Sequence, residues 1–336
     1  MARPKVPRLL RIQSGHGFTS ITPLLELVDG MTCDIITWAI VTSRNLSRSL
    51  EKDLTSMTSK LFSDTEILQF HRDSYIMVEG LLDVEETTSL LDATRRDYVL
   101  MQNAHEVKDN EGRNSKLALW DHPGDDIYGA IARSHKVVDR VEQLVGAEVY
   151  HYHSTMMLKE PRIGGAWEWH QDYGYWYHYG CLFPDIVACM IAIDEQTKEN
   201  GCLQVIRGSA RLGRLDHFEQ TTRGSTQTSV DPQRLEVILE RMELVYCEMP
   251  PGAAIFFHGN ILHRSDANLS EKPRWALRCV YNAAHNDPYK DIKHARYTPL
   301  EKLPDSAIRE AADKVSDATQ SYASQKSLKT SRPDTE

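Results

Sequence analysis

The spacing of hydrophobic and polar positions changes near Gly146, and the two halves of the chain predict different elements. Upstream, apolar residues recur at helical spacing behind start signals. Ser63-Asp64-Thr65-Glu66 is a capping box ahead of Ile67, Leu68 and Phe70. Residues 75–80 read as a short strand, 83–101 as a second helix and 125–144 as a third, closed by Gly146. Downstream come short runs rich in β-branched, aromatic and Cys residues, at 149–158, 186–193, 202–206, 244–248, 253–257 and 276–281. Gly, Pro, Asn and Asp punctuate them, and one more helix is expected over 231–242. Helices followed by many closely spaced strands predict an α+β chain built around a sandwich or jelly-roll barrel.

This pattern is strongest over residues 61–304. Residues 1–60 mix basic, Ser/Thr-rich and short apolar pieces without a sustained period, and read as an N-terminal flank. Residues 305–336 are polar and read as a helix fading into a loose tail.

Composition excludes several function classes. With 41% hydrophobic and 26% charged residues the chain is an ordinary globular protein. Its net charge of −9 argues against a nucleic-acid backbone as partner, since that contact is driven by clustered cations. The six cysteines form no C-x-x-C pair, which removes zinc-finger and thioredoxin readings. The best apolar run, 35–41, is far shorter than the roughly 20 residues a membrane helix needs. Arg3, Lys5, Arg8 and Arg11 precede any acidic residue, as in a transit peptide, but no long apolar stretch follows and the chain does not end in Ser-Lys-Leu. A cytoplasmic protein is expected, with mitochondrial and peroxisomal addresses left open. The oligomeric state has no signature in the sequence.

Metal chemistry enters through His-x-Asp triplets. Iron(II) oxygenases hold their metal with two histidines and a carboxylate on one face, leaving positions for a chelating keto acid and O2. On a strand, residues i and i+2 point to the same side, so His-x-Asp suits the task. Three such triplets occur, at His71, His170 and His285, and about one is expected by chance at ordinary Asp frequency. His71 and Asp73 sit where the capped helix ends, and His285 and Asp287 lie in an Asn/Asp/Pro turn; both read as structural. His170-Gln171-Asp172 is different, because aromatic residues surround it from Trp167 to Tyr179, as in walls of small-molecule pockets. Gly174 permits a bend there, so residues 173–179 are expected to form a substrate wall or a lid. Much later an apolar strand leads to His258 and His263, and Arg274 opens the next strand. Its guanidinium offers the planar fork a keto acid's far carboxylate requires.

On these residues, together with Tyr175-Trp176, the Asn200-Gly-Cys-Leu203 stretch, Gly208-Ser209 and the eleven-residue step from His263 to Arg274, the chain resembles the phytanoyl-CoA dioxygenase family over roughly 61–299. The resemblance implies a double-stranded β-helix (jelly-roll) barrel with flanking helices. It implies an Fe(II)- and 2-oxoglutarate-dependent dioxygenase that uses O2 to hydroxylate a small organic molecule. Carried over residue by residue, His170, Asp172 and His263 bind iron. Arg274 and Ser265 bind 2-oxoglutarate, with Lys116 and Met156 as further cosubstrate contacts. Gln171, Tyr175 and Trp176 fall in the substrate pocket, and Asn268 matches a structural asparagine. Where many relatives read Pro-Gly-Ser-His, this chain has Arg207-Gly-Ser-Ala210.

Three rivals compete with this reading. A catalytically inactive scaffold or binding module of the same fold is expected only if a ligand is missing, and all are present. A halogenase lacks the carboxylate that Asp172 supplies, and a zinc or manganese hydrolase with these ligands does not require Arg274.

Overall fold

The computed structural model describes residues 61–219, 227–291 and 295–314. The basic N-terminal stretch and most of the polar tail lie outside them.

The first helix, α1 (Asp64–Asp73), starts on the expected capping box: Ser63 and Glu66 each bond the other's backbone N–H. A short strand, β1 (Tyr75–Val78), follows. The helix expected over 83–101 is two, α2 (Val84–Arg96) and α3 (Tyr98–Asn103). Asp97 separates them, because its carboxylate turns back to accept the Leu100 N–H at 2.8 Å and caps a new helix. The strands β2 (His105–Lys108) and β3 (Asn114–Trp120) come next and had no clear sequence signal.

The helix expected over 125–144 is also divided, into α4 (Ile127–Arg133) and α5 (His135–Val145). At the break the backbone of Leu303 exchanges hydrogen bonds with Arg133 and His135, so a distant segment replaces helical bonds. Gly146 closes α5 in the left-handed region, as the pattern predicted.

Two antiparallel sheets form the remainder. The long strand β4 (Val149–Lys159) leads to β5 (Trp167–His170), the helix α6 (Asp172–Tyr179), β6 (Ile186–Ala192) and β7 (Leu203–Ile206). A small hairpin, β8 (His217–Glu219) with β9 (Thr228–Val230), precedes α7 (Pro232–Arg241). Then come β10 (Leu244–Cys247), β11 (Ala254–His258), β12 (His263–Ser265), β13 (Arg274–Ala283) and the short α8 (Ala307–Glu310). The large sheet has the order β1-β11-β6-β13-β4-β3-β2 and the small one β10-β7-β12-β5. This is the jelly roll, with two facing sheets rather than one continuously closed barrel.

Three apolar clusters follow from the pleat. One lies between the large sheet and the helices and includes Met156, Leu158, Leu277 and Cys279. It also takes in Ile308 and Ala311, so the domain's packing continues past residue 304. A second fills the space between the sheets, with Met190, Ala276 and Val280 from one side and Leu203 and Val205 from the other. The third, around Trp169, Leu262 and Ile238, covers the back of the small sheet under α7.

Candidate metal centre

His170 is the last residue of β5, and Asp172 is the first of α6. The pair was expected on one strand; instead the strand ends between them, and Gln171 is the extended residue that turns the chain into the helix. His263 opens β12 directly opposite His170 in the small sheet. The three side chains converge. His170 Nε2 lies 3.7 Å from Asp172 Oδ1, and His263 Nε2 lies 3.9 Å from Asp172 Oδ2. One donor atom from each residue falls within 4.8 Å of the others, and all three residues are buried.

Local bonds turn the right atoms inward. His170 Nδ1 bonds the Glu168 carbonyl at 2.6 Å, and His263 Nδ1 bonds the Ile261 carbonyl at 3.1 Å. A carbonyl only accepts, so each Nδ1 carries the proton and each Nε2 presents a lone pair to the centre. Burial, with His263 nearby, pushes the His170 imidazole down to about 3, and burial likewise lowers His263; both rings are neutral and able to ligate. Burial raises Asp172, but Arg278 and the two imidazoles outweigh it and hold its carboxyl below the usual carboxylate range. Two neutral imidazoles and one carboxylate on one face suit a divalent iron centre.

A second polar group lies beside this one. Arg274 is fully buried; its Nε and Nη2 donate to the Gly201 carbonyl at 3.1 and 2.8 Å. Among the described residues its Nη1 has no hydrogen-bond partner. Gly201 has φ +75°, and a Cβ there would collide with the Asp266 carbonyl, so the turn that presents this acceptor needs glycine. Directly across from Arg274, on β4, stands Lys159, also fully buried. Its Nζ donates to Ser265 Oγ at 2.8 Å and to the Asp266 carbonyl. Burial, and then the Arg274 charge, hold the Lys159 ammonium well below its ordinary value. An unsatisfied buried guanidinium N–H, a lysine and a hydroxyl are thus brought together, and groups of this chemistry suit a carboxylate. Lys159 was not among the sequence candidates. Its signal is the strand period itself, since Thr155, Met157 and Lys159 share the inward face.

The other candidates distribute as follows. Met156 lies in the cluster between the sheet and the helices, so the inward methionine is its neighbour Met157. Lys116 pairs with Leu158 and, two residues on, Ala118 pairs with Met156; Leu158, Ala118 and Met156 all belong to the helix-side cluster. The pleat thus puts Lys116 on the face opposite Arg274, and neither it nor Met156 joins the pocket. Gln171 is sealed from solvent, and its amide is committed to backbone: Nε2 donates to the Gly213 and Asn260 carbonyls, both at 2.8 Å, and Oε1 accepts from Leu215 N–H at 2.7 Å. It ties loops together instead of facing a ligand.

Residues 173–179 are helical and divide by face. Tyr173 and Trp176 pack into the inter-sheet core, with Trp176 edge-on to Tyr152 at 5.7 Å. Tyr175 lies 6.1 Å from the His170 ring and hydrogen-bonds Thr228 at 2.5 Å, while Tyr177 is exposed. A β-bulge between His263 and Ser265 sets Trp167, three residues before His170, opposite Ser265 on the inward face. Its Nε1–H is buried without a partner among the described residues.

Residues read as structural are so placed. Asp73 is bound by Arg72, His285 pairs with Asp185 at 2.9 Å, and His258 Nδ1 accepts from Asn260 N–H at 3.0 Å. Asn268 is buried and bonds the Lys159 and Lys272 carbonyls at 3.2 and 2.8 Å.

Comparison with known proteins gives the family. The family model described as phytanoyl-CoA dioxygenase matches residues 70–276. The chain is 30% identical to an L-proline trans-4-hydroxylase from Streptomyces griseoviridis, over 67% of this chain and 88% of that one. It is 25% identical to an ectoine dioxygenase from Bordetella parapertussis, over 67% and 76%. The fold is similar to EctD from S. alaskensis crystallised with bound Fe, at a TM-score of 0.61 and 23% identity, over 73% of this chain and 89% of that one. A family match that spans more than half of the chain, laid over two imidazoles and a carboxylate brought to one point, shows that this chain belongs to the phytanoyl-CoA dioxygenase family.

Proposed function

We propose that this protein hydroxylates a small organic molecule at a ferrous centre held by His170, Asp172 and His263. The chain is an Fe(II)- and 2-oxoglutarate-dependent dioxygenase. The observation that carries the residue assignment is the adjacency of two sites: a buried three-donor cluster, and a buried cationic pocket in which Arg274 Nη1 lacks a partner.

Each group has a part. His170 and His263 offer neutral Nε2 atoms fixed by their Nδ1–H bonds, and Asp172 supplies the single negative charge. With iron, 2-oxoglutarate and O2 bound, the site supplies the oxidation that inserts oxygen into a C–H bond while the keto acid becomes succinate and carbon dioxide. Arg274 would meet the distal carboxylate of a bound keto acid with Nη1, with Lys159 on β4 and Ser265 on β12 completing the pocket. Trp167, paired with Ser265, would stand at one side of that pocket. The oxygenase domain begins near residue 61 and runs through at least Ala311, whose side chain packs in the helix-side core.

The test is iron and 2-oxoglutarate binding by the purified protein, followed by succinate release across a panel of candidate substrates. Stoichiometric iron and substrate-stimulated succinate are expected. A protein that binds neither iron nor 2-oxoglutarate would overturn the assignment.

A further inference from the structure

β13 runs through the middle of the large sheet, and Arg278 is its one residue that is not buried. Its side chain keeps 14% of its surface exposed. Open space therefore reaches the inter-sheet interior at this residue, as it does at Met157, the one partly exposed position of β4. Strand alternation puts Arg278 on the inward face with Arg274 and Ala276, opposite Thr155. Its Nε donates to Thr155 Oγ1 at 3.2 Å, and its Nη1 donates to both Asp172 oxygens at 3.3 and 3.1 Å. Among the described residues Nη2 makes no hydrogen bond, and it is not sealed as Nη1 of Arg274 is. Arg278 is thus a guanidinium fixed at two corners, with its third corner facing open space beside the metal triad.

Charge points the same way. Iron(II) and Asp172 together leave one positive charge, and the cosubstrate dianion turns this into one negative. Arg274 and Arg278 then leave the interior with one positive charge uncompensated, before any proton on Lys159 is counted. A cation in a water-poor cavity is costly without a counter-ion. Cosubstrate binding uses Arg274, so the remaining charge falls to the substrate.

We propose that Arg278 binds a carboxylate of the substrate, so that the enzyme acts on small organic acids held with the target C–H bond toward the triad. This rests on the oxygenase reading above and adds the substrate class to it. A guanidinium recognises a carboxylate through parallel N–H donors, which an amide or ester cannot match in charge.

The experiment uses the full chain loaded anaerobically with Fe(II) and 2-oxoglutarate, whose chelate gives a visible charge-transfer band. The probes are acetate, benzoate and L-proline, each against its amide. In the wild type the acids are expected to perturb the band and the amides to fail or to need at least about tenfold more. Arg278→Gln, whose amide can still donate to Asp172, is expected to give the band once iron and 2-oxoglutarate are raised to saturation and to lose the preference for acids, while Arg278→Lys regains part of it. Three results would overturn the proposal: amides as effective as acids, no acid perturbing the band, or an Arg278→Gln protein that loses the band itself. The last would make Arg278 a support of the metal site. A wild-type protein that gives no band at all would overturn the oxygenase reading, and this inference with it.

Discussion

Lys159 and Arg274 face each other across adjacent antiparallel strands, both fully buried, and neither makes an ion pair among the described residues. Two like charges in a dry interior repel and are poorly solvated, so this arrangement is unfavourable for the chain alone. A dianionic cosubstrate removes the conflict. Under the proposed function the pair is a binding device, and its cost in stability is returned when the cosubstrate is bound.

Arg274→Ala is expected to raise the KM for 2-oxoglutarate about 10- to 1000-fold, since one or two charge-assisted hydrogen bonds of roughly 1.5–3 kcal/mol each are lost. Iron content should not change. Arg274→Lys should recover only part, because an ammonium lacks the planar fork. An unchanged KM in the alanine variant would remove Arg274 from the cosubstrate site.

Lys159 gives a proton-linkage test. Its folded value is lowered by burial and by Arg274, so the folded apo-protein sheds this proton before the unfolded chain does. Its contribution to stability therefore grows as pH rises through the folded value toward the ordinary lysine value, and is smallest at lower pH. A bound dianion reverses the shift, so 2-oxoglutarate binding above the folded value should take up a proton. Calorimetry in buffers of different ionisation enthalpy measures this. Lys159→Met should abolish the uptake; uptake unchanged in that variant would assign it to another group.

His258 and His263 are five residues apart and only one converges on Asp172. His263→Ala should lose stoichiometric iron and succinate formation, as should Asp172→Ala. His258→Ala should retain iron at wild-type stoichiometry. Iron assay after desalting separates them, and loss of iron only in the His258 variant would reverse the assignment.

Gln171→Leu should act on stability. It strips the partners from the Gly213 and Asn260 carbonyls and the Leu215 N–H, and buried groups left unsatisfied cost about 1–3 kcal/mol each before relaxation. A loss of about 2–4 kcal/mol by denaturant unfolding is expected, with the KM for 2-oxoglutarate nearly unchanged. Unaltered stability together with a changed substrate preference would return Gln171 to the substrate pocket.

The sequence alone determined what depends on local chemistry and spacing. The capping box at Ser63, the Gly146 stop, most of the strands and the aromatic context that singled out His170 and Asp172 are short-range signals, readable without knowing any partner. Arg274 was singled out by the planar fork its guanidinium offers a carboxylate and by its eleven-residue step from His263. Tertiary structure decided the rest. Asp97 and Leu303 broke helices whose periodicity ran on, one by capping and the other by inserting a distant backbone. A pleated strand offers each residue one of two faces, and which face is inward depends on the neighbouring strand. This sent Met156 and Lys116 toward the helices and Met157 and Lys159 toward the site. Likewise the bulge opposite β12 turned Trp167 inward. Register is a property of the pair of strands, so no reading of a single strand contains it.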